Sequence, residues 1–230
     1  MRGVFLLFLL LLGGVHAWAG EDVLFRDEFN SIENWRELKF KNIENMTTYE
    51  SKDGVLNTYS KASASGLIYR KSFNVSSHPF VSWRWKVDSV YEKGDGRTKK
   101  GDDYPLRIYI VFQYNPDTAG FAKAMKYRAV KLLYGEYPPD SSLNYVWASR
   151  LDKNSMITSP YTDRSKMVVL QTGTAEAGEW VTETVNILED YEKAFGAPPP
   201  EKASIAVMND SDNTGESSRA YLDYIKVFSQ

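Results

Sequence analysis

From Val23 to the C-terminus, short runs of β-branched and aromatic residues are separated by clusters of Gly, Pro, Asn and Asp. That pattern predicts an all-β fold, an antiparallel, jelly-roll-like β-sandwich. The runs place strands at Val23–Arg26, Met46–Ser51, Val55–Ser60, Gly66–Phe73, Phe80–Val87, Leu106–Tyr114, Leu143–Ala148, Met167–Thr172, Trp180–Ile187, Ala203–Met208 and Arg219–Phe228. Two of them alternate cleanly. Val81, Trp83, Trp85 and Val87 share one face, as do Leu106, Ile108, Ile110 and Phe112, so one face of each strand is expected in the core. The opposite set, Arg84, Lys86, Arg107, Tyr109 and Gln113, then forms either a solvated outer face or the lining of a concave sheet that holds a ligand.

One inserted segment follows the helical period. From about Thr118 to Tyr134, Phe121, Met125, Ala129 and Leu132 recur at spacings of three, four and seven residues, predicting an amphipathic helix that lays this face across a sheet edge. Its other positions carry Lys123, Lys126, Arg128 and Lys131, which also suits a membrane-surface helix. A shorter helix near Leu188–Phe195 should end at Gly196, ahead of Pro198-Pro199-Pro200.

The N-terminus changes the setting. Arg2, the apolar run Val4–Leu12 and the small-x-small triplet Ala17-Trp18-Ala19 read as a secretory signal peptide, residues 1–19, cleaved to leave Gly20. The run is short of the roughly 20 residues that span a bilayer, so no transmembrane segment is expected after cleavage. Residues 20–230 then form a single sandwich domain, periplasmic or secreted. The chain has no cysteine, which removes disulfides, thiolate metal sites and a cysteine nucleophile. Its net charge of -2 lacks the basic footprint of a nucleic-acid binder. Aromatic residues make up 14% of it, mostly Tyr and Trp, which suits strands and also surfaces that grip sugars.

Three places carry candidate chemistry. The loop Asp210-Ser211-Asp212-Asn213-Thr214-Gly215 begins like a calcium loop, with oxygen side chains at alternate positions and a glycine at the sixth. Its twelfth position is Tyr221 rather than a bidentate Glu. A complete EF-hand is excluded, and the residues also suit an Asx-rich turn. The Gly-rich connection Lys93–Asp103 ends on Asp102 and Asp103, which suit a cation or sugar hydroxyls if the loop is a binding lip rather than simply solvated. Asn144 and Trp147, on a strand with Tyr145, offer hydrogen bonding and ring stacking, although Trp147 equally suits the core.

Standard catalytic patterns are missing. His78 precedes Pro79 at a strand start, with no nucleophile elbow nearby. Carboxylate chemistry of the glycosidase type stays open, with Glu28, Asp102, Asp103, Glu136, Asp163, Asp210 and Asp212 as candidates. A lyase built on Tyr109 and Arg107 is the other catalytic option.

Several blocks of the chain resemble a known family. They are Gly66-Leu67-Ile68-Tyr69, Trp83-Arg84-Trp85-Lys86-Val87, Gly101-Asp102-Asp103-Tyr104-Pro105, Tyr134-Gly135-Glu136-Tyr137-Pro138-Pro139, Ser159-Pro160-Tyr161-Thr162-Asp163-Arg164, and Met208 to Ser217. These are similar to the blocks of the bacterial family known as domain of unknown function 3047, across the whole chain after the leader. The resemblance implies no activity. Phe25-Arg26-Asp27-Glu28-Phe29-Asn30 and Ala220 to Val227 resemble the first and last strands of jelly-roll carbohydrate-binding modules. That second likeness implies a structural calcium on a terminal acidic pair, which adds Glu28 and Asp223 to Asp210, Asp212 and Thr214 as metal candidates.

The expected role is a non-catalytic glycan-binding or ligand-binding sandwich that uses Arg84, Lys86, Asp102, Asp103, Arg107, Tyr109, Asn144 and Trp147. The alternatives are a carboxylate-dependent polysaccharide hydrolase or lyase, and a structural or interaction protein of the cell envelope.

Overall fold

The computed structural model describes residues 20–230 apart from Asn42, Thr118, Gly135 and Glu136. Residues 1–19, the expected leader, and Glu136 therefore lie outside the described residues. Among the described residues, fourteen strands form two facing sheets, joined by two helices.

The first sheet contains β1 (Asp22–Asp27), β3 (Thr48–Lys52), β4 (Val55–Lys61), β7 (Phe80–Val87), β12 (Val181–Asn186) and β14 (Ser217–Ser229). β14 is its spine. One edge pairs with β7 from Ala220 to Phe228, while the other is shared between β4 at its start and β1 at its end. β3 and β4 join through Asp53 and Gly54, both at positive φ (53° and 74°), the backbone a tight hairpin turn demands.

The second sheet runs β10 (Met156–Ser159), β11 (Thr162–Thr172), β9 (Ser141–Ala148), β8 (Arg107–Phe112), β13 (Lys202–Asp210), β5 (Ala64–Tyr69) and β2 (Trp35–Leu38), with β6 (Phe73–Asn74) also on β13. All its pairs are antiparallel except β9 with β11. The strand lengths and alternation in the sequence anticipate the sandwich but not this parallel pair, whose partners are set by side-chain faces rather than by a hairpin turn.

The core lies between the sheets. Trp83 and Trp85 of β7 meet Tyr145 and Trp147 of β9 at ring distances of 5.4 and 5.7 Å, and Leu106, Ile108, Ile110 and Phe112 pack beside them, fully buried. Because β7 and β8 both point their apolar faces inward, their polar faces lie on opposite sides of the sandwich. The single lining of Arg84, Lys86, Arg107, Tyr109 and Gln113 expected from the sequence is therefore split. Arg84 pairs with Asp223 at 3.2 Å and Lys86 lies over the Trp180 and Tyr221 rings, on the outside of the first sheet.

α2 (Ile187–Phe195) begins and ends as its sequence directs. The Asn186 side chain accepts N–H bonds from Leu188 and Glu189, and Gly196 takes the left-handed cap at φ 68°. Its Ile187 and Tyr191 are buried against the core, Tyr191 against Phe112 at 4.5 Å. α1 (Phe121–Tyr134) departs from expectation. Tyr127 is its inward anchor, stacked on Tyr114 at 4.2 Å, and Phe121, Met125 and Leu132 point away from the sandwich.

Candidate functional site

The outer face of the second sheet is a grid fixed by strand register. One row crosses Arg36, Ile68, Ala206, Tyr109 and Asn144, and the next crosses Leu38, Gly66, Met208, Arg107 and Val146. Part of this face is covered. Tyr104, from the connection between β7 and β8, and Leu151, from the segment after β9, join Val146, Ala148, Met167 and Val169 in a second apolar cluster.

Local geometry fixes that connection. Asp95 and Gly101 form an isolated bridge, with the Asp95 N–H donating to the Gly101 carbonyl at 2.8 Å. A Cβ on Gly101 would lie 2.6 Å from the Asp95 nitrogen and 2.9 Å from the Lys93 carbonyl oxygen, so only glycine fits. The Glu216 carboxylate accepts the Glu92 and Lys93 N–H groups, each at 2.9 Å, and ties this loop to the one after β13.

Between the loops sits a buried charged knot. The Arg107 guanidinium contacts the Asp210 carboxylate directly, donates to the Asp102 carbonyl at 3.3 Å, and packs under the Tyr104 ring at 4.9 Å. Asp103 accepts the Thr214 N–H at 2.6 Å and the Asn213 side-chain amide at 3.1 Å, holding the Asp210–Gly215 turn. Tyr161 donates to Asn213 at 2.8 Å and covers the turn from outside. Asp103, Asp210 and Asp212 each bring one oxygen within 4.8 Å of the others.

Asp102 is the misfit. It is 4% exposed, its Oδ1 is 3.8 Å from the Arg107 Nη1, and that oxygen accepts no hydrogen bond among the described residues. Burial pushes its pKa up to about 6, with the Arg107 charge pulling back and Asp103 and Asp212 adding to the rise. Burial also raises Asp210, against the pull of Arg107, and raises Asp212. Desolvation works against the Arg107 charge, but Asp210 and its other neighbours hold it above the ordinary guanidinium value.

Beyond Tyr109 and Met208 the same face is open. A groove of about 650 Å³ runs from there to Tyr114 and Tyr137 beside α1. Phe40, Tyr109 and Tyr137 supply rings, and Arg36, Arg70, Gln113, Ser142 and Ser204 supply polar groups.

The structure thus brings together Asp102, Asp103, Arg107, Tyr109, Asp210, Asp212 and Thr214. It separates the rest. Trp147 is fully buried, its indole N–H donating to the Gly173 carbonyl at 3.1 Å, because its position on β9 faces the other sheet. Asn144 is likewise inaccessible and donates to Ser165 and to the Lys166 carbonyl. Glu28 pairs with Arg26 on the surface, and Asp223 sits at the bulge in β14 on the first sheet, so neither reaches Asp210. Asp102 and Asp103 belong to a buried knot and not to a solvated lip. The sequence reading assigned no role to Tyr104, Tyr161, Arg36, Arg70 or Phe40. Only tertiary folding places these residues beside the knot or the groove, although Tyr104 and Tyr161 did lie in the recognised blocks.

A family model described as protein of unknown function (DUF3047) matches residues 33–226. The chain belongs to this family. No curated protein matches the sequence. Solved structures similar to this DUF3047 member include a lectin from Bauhinia forficata in complex with GalNAc, at 10% identity and TM-score 0.45, covering 92% of this chain and 99% of that one. The xyloglucanase domain of NopAA from Sinorhizobium fredii, in complex with cellobiose, has 10% identity and TM-score 0.45 over 85% of this chain and 93% of that one. A laminarinase from Flavobacterium sp. UMI-01 has 14% identity and TM-score 0.44 over 90% and 100%.

Proposed function

We propose that this domain is a non-catalytic binding module that takes a glycan chain in the groove on the outer face of its second sheet. The observation that carries this reading is the composition of the groove, about 650 Å³, lined by the aromatic residues Phe40, Tyr109 and Tyr137 together with the polar Arg36, Gln113 and Ser204. A pyranose ring has apolar faces and a polar rim, so rings and fixed polar groups in one cleft match both. The Arg107–Asp102 knot lies beside the Met208 end, Arg107 being the register partner of Met208, without lining the groove. There Asp102, buried without a full set of partners, is a group the fold holds at a cost, and such groups concentrate at functional sites.

One observation favours a hydrolase as the second reading: a carboxyl pushed up to about 6 is suited to protonate a leaving oxygen. Isothermal titration of the chain from Gly20 against soluble polysaccharides, with a parallel assay for new reducing ends, separates the two. Binding without turnover that weakens in Phe40→Ala and Arg36→Ala supports the module. Turnover that disappears in Asp102→Asn replaces it with the hydrolase, and binding indifferent to both groove variants sinks the groove. Calcium and chelator arms of the same titration test the calcium expectation by itself.

A further inference from the structure

α1 leaves its apolar stripe unpartnered. Phe121, Met125 and Leu132 are 84%, 53% and 87% exposed. At 100° per residue their side chains fall within about 40° of one another on the helix, so they form one ridge and not scattered contacts. Tyr127, the inward anchor, stands roughly 140° from the middle of that ridge, and it is held there by its ring contact with Tyr114 and by its hydroxyl donating to the Pro139 carbonyl at 3.1 Å. The ridge therefore faces outward, into solvent.

Charge around the ridge has one sign. The helix holds no Asp or Glu, whereas the whole chain is net -2. Lys126 and Arg128 are exposed along it, Lys131 is exposed but holds its ammonium 4.4 Å over the Tyr137 ring, and Lys123 turns inward to Asp140. Asp140 is also engaged by Arg164, so it does not neutralise the outward cations. Large apolar side chains in a narrow stripe, flanked by long basic side chains that can lift their charges to the headgroups, are the composition of a helix lying in a membrane interface.

We infer that α1 seats the domain on an anionic phospholipid surface, with Phe121, Met125 and Leu132 entering the acyl boundary and Lys126 and Arg128 meeting headgroup phosphates. The attachment is peripheral, since no described helix is long and apolar enough to cross a membrane. The groove beside Tyr114 and Tyr137 would then open close to the bilayer.

Vesicle co-sedimentation tests this with the chain from Gly20, which contains every strand of both sheets and omits the apolar run Val4–Leu12 that would itself bind lipid. Expected is retention on vesicles of equal parts phosphatidylglycerol and phosphatidylcholine, weakened by added salt. Pure phosphatidylcholine should bind at least about tenfold less, because the electrostatic attraction is lost. The double variant Phe121→Ser, Leu132→Ser should lose at least about tenfold in partitioning while its melting midpoint stays the same or rises, since both side chains are exposed in the folded state. Equal retention on both vesicle types overturns the anionic assignment. No retention overturns the proposal, as does a lipid-free dimer, seen by sedimentation equilibrium, that the double variant dissolves. A double variant that fails to fold would contradict the exposed ridge itself, and Lys126→Glu with Arg128→Glu then tests the charge half separately.

Discussion

Replacing Asp102 with asparagine should stabilise this protein near neutral pH and leave it unchanged in acid. The side chain is 4% exposed, its Oδ1 accepts no hydrogen bond among the described residues, and burial outweighs Arg107 in pushing its pKa from 3.8 to about 6. The folded state therefore binds this proton more tightly than the unfolded chain. For such a group the stabilisation is complete below the unfolded pKa, near 4, and disappears as pH rises through the folded pKa, near 6. A difference of roughly two pH units at 1.36 kcal/mol each amounts to about 3 kcal/mol lost by the native protein between pH 4 and pH 7.5. Asparagine has no proton to lose and keeps nearly the same shape. The unfolding free energies of the two proteins, measured by urea titration from pH 4 to pH 8, should converge in acid and diverge by about 3 kcal/mol, the variant higher, above pH 7. Subtracting one curve from the other cancels Glu183 and Asp190, whose pKa values burial also raises, but not Asp210 and Asp212, which interact with Asp102 directly. A flat difference, or a variant less stable at pH 8, would mean that the 3.8 Å pairing with Arg107 outweighs desolvation and that the carboxylate supports the fold.

Three further outcomes are expected. Trp147→Ala empties the centre of the core against Trp85 and should cost about 3–5 kcal/mol in urea unfolding, with glycan affinity unchanged in the fraction that folds. Phe40→Ala should behave oppositely: with 38% of the residue exposed in the groove wall, its melting midpoint should move little while ligand affinity falls about tenfold or more, as for truncation of a stacking ring. Gly101→Ala forces a Cβ against the Asp95 and Lys93 backbone, so about 1–3 kcal/mol of stability should go with loss of protection of the Asp95 amide in hydrogen exchange. An undisturbed Asp95 amide would show that the bridge does not hold the loop.

The sequence by itself determined what period and turn chemistry control. Alternation in Val81–Val87 and Leu106–Phe112 named core residues because a strand has only two faces and water rejects one of them. Gly196 marked the end of α2 because capping needs only neighbours within a turn or two, whereas Asn186, which caps its start, was read as part of the preceding strand. The acidic candidates Asp102, Asp103 and Asp210 were visible as residues that need partners. Which partners they have was not, because Arg107 reaches Asp210 across 103 residues and Asp103 reaches Thr214 across 111. Sheet membership decided more. Arg84 and Arg107 look equivalent in their strands, yet β7 and β8 belong to facing sheets, so their outward sides diverge. Trp147 has the same alternation whether its face is wet or dry, and only the opposing Trp85 made it core. The apolar ridge of α1 shows the limit from the other side. Periodicity found the stripe, but its direction depends on which side of the helix finds a partner, and Tyr127 found Tyr114 first. Local physics thus wrote the strands, caps and turns, while the site, the groove and the exposed ridge arise where distant segments meet. Their energies belong to pairs that no window of sequence contains.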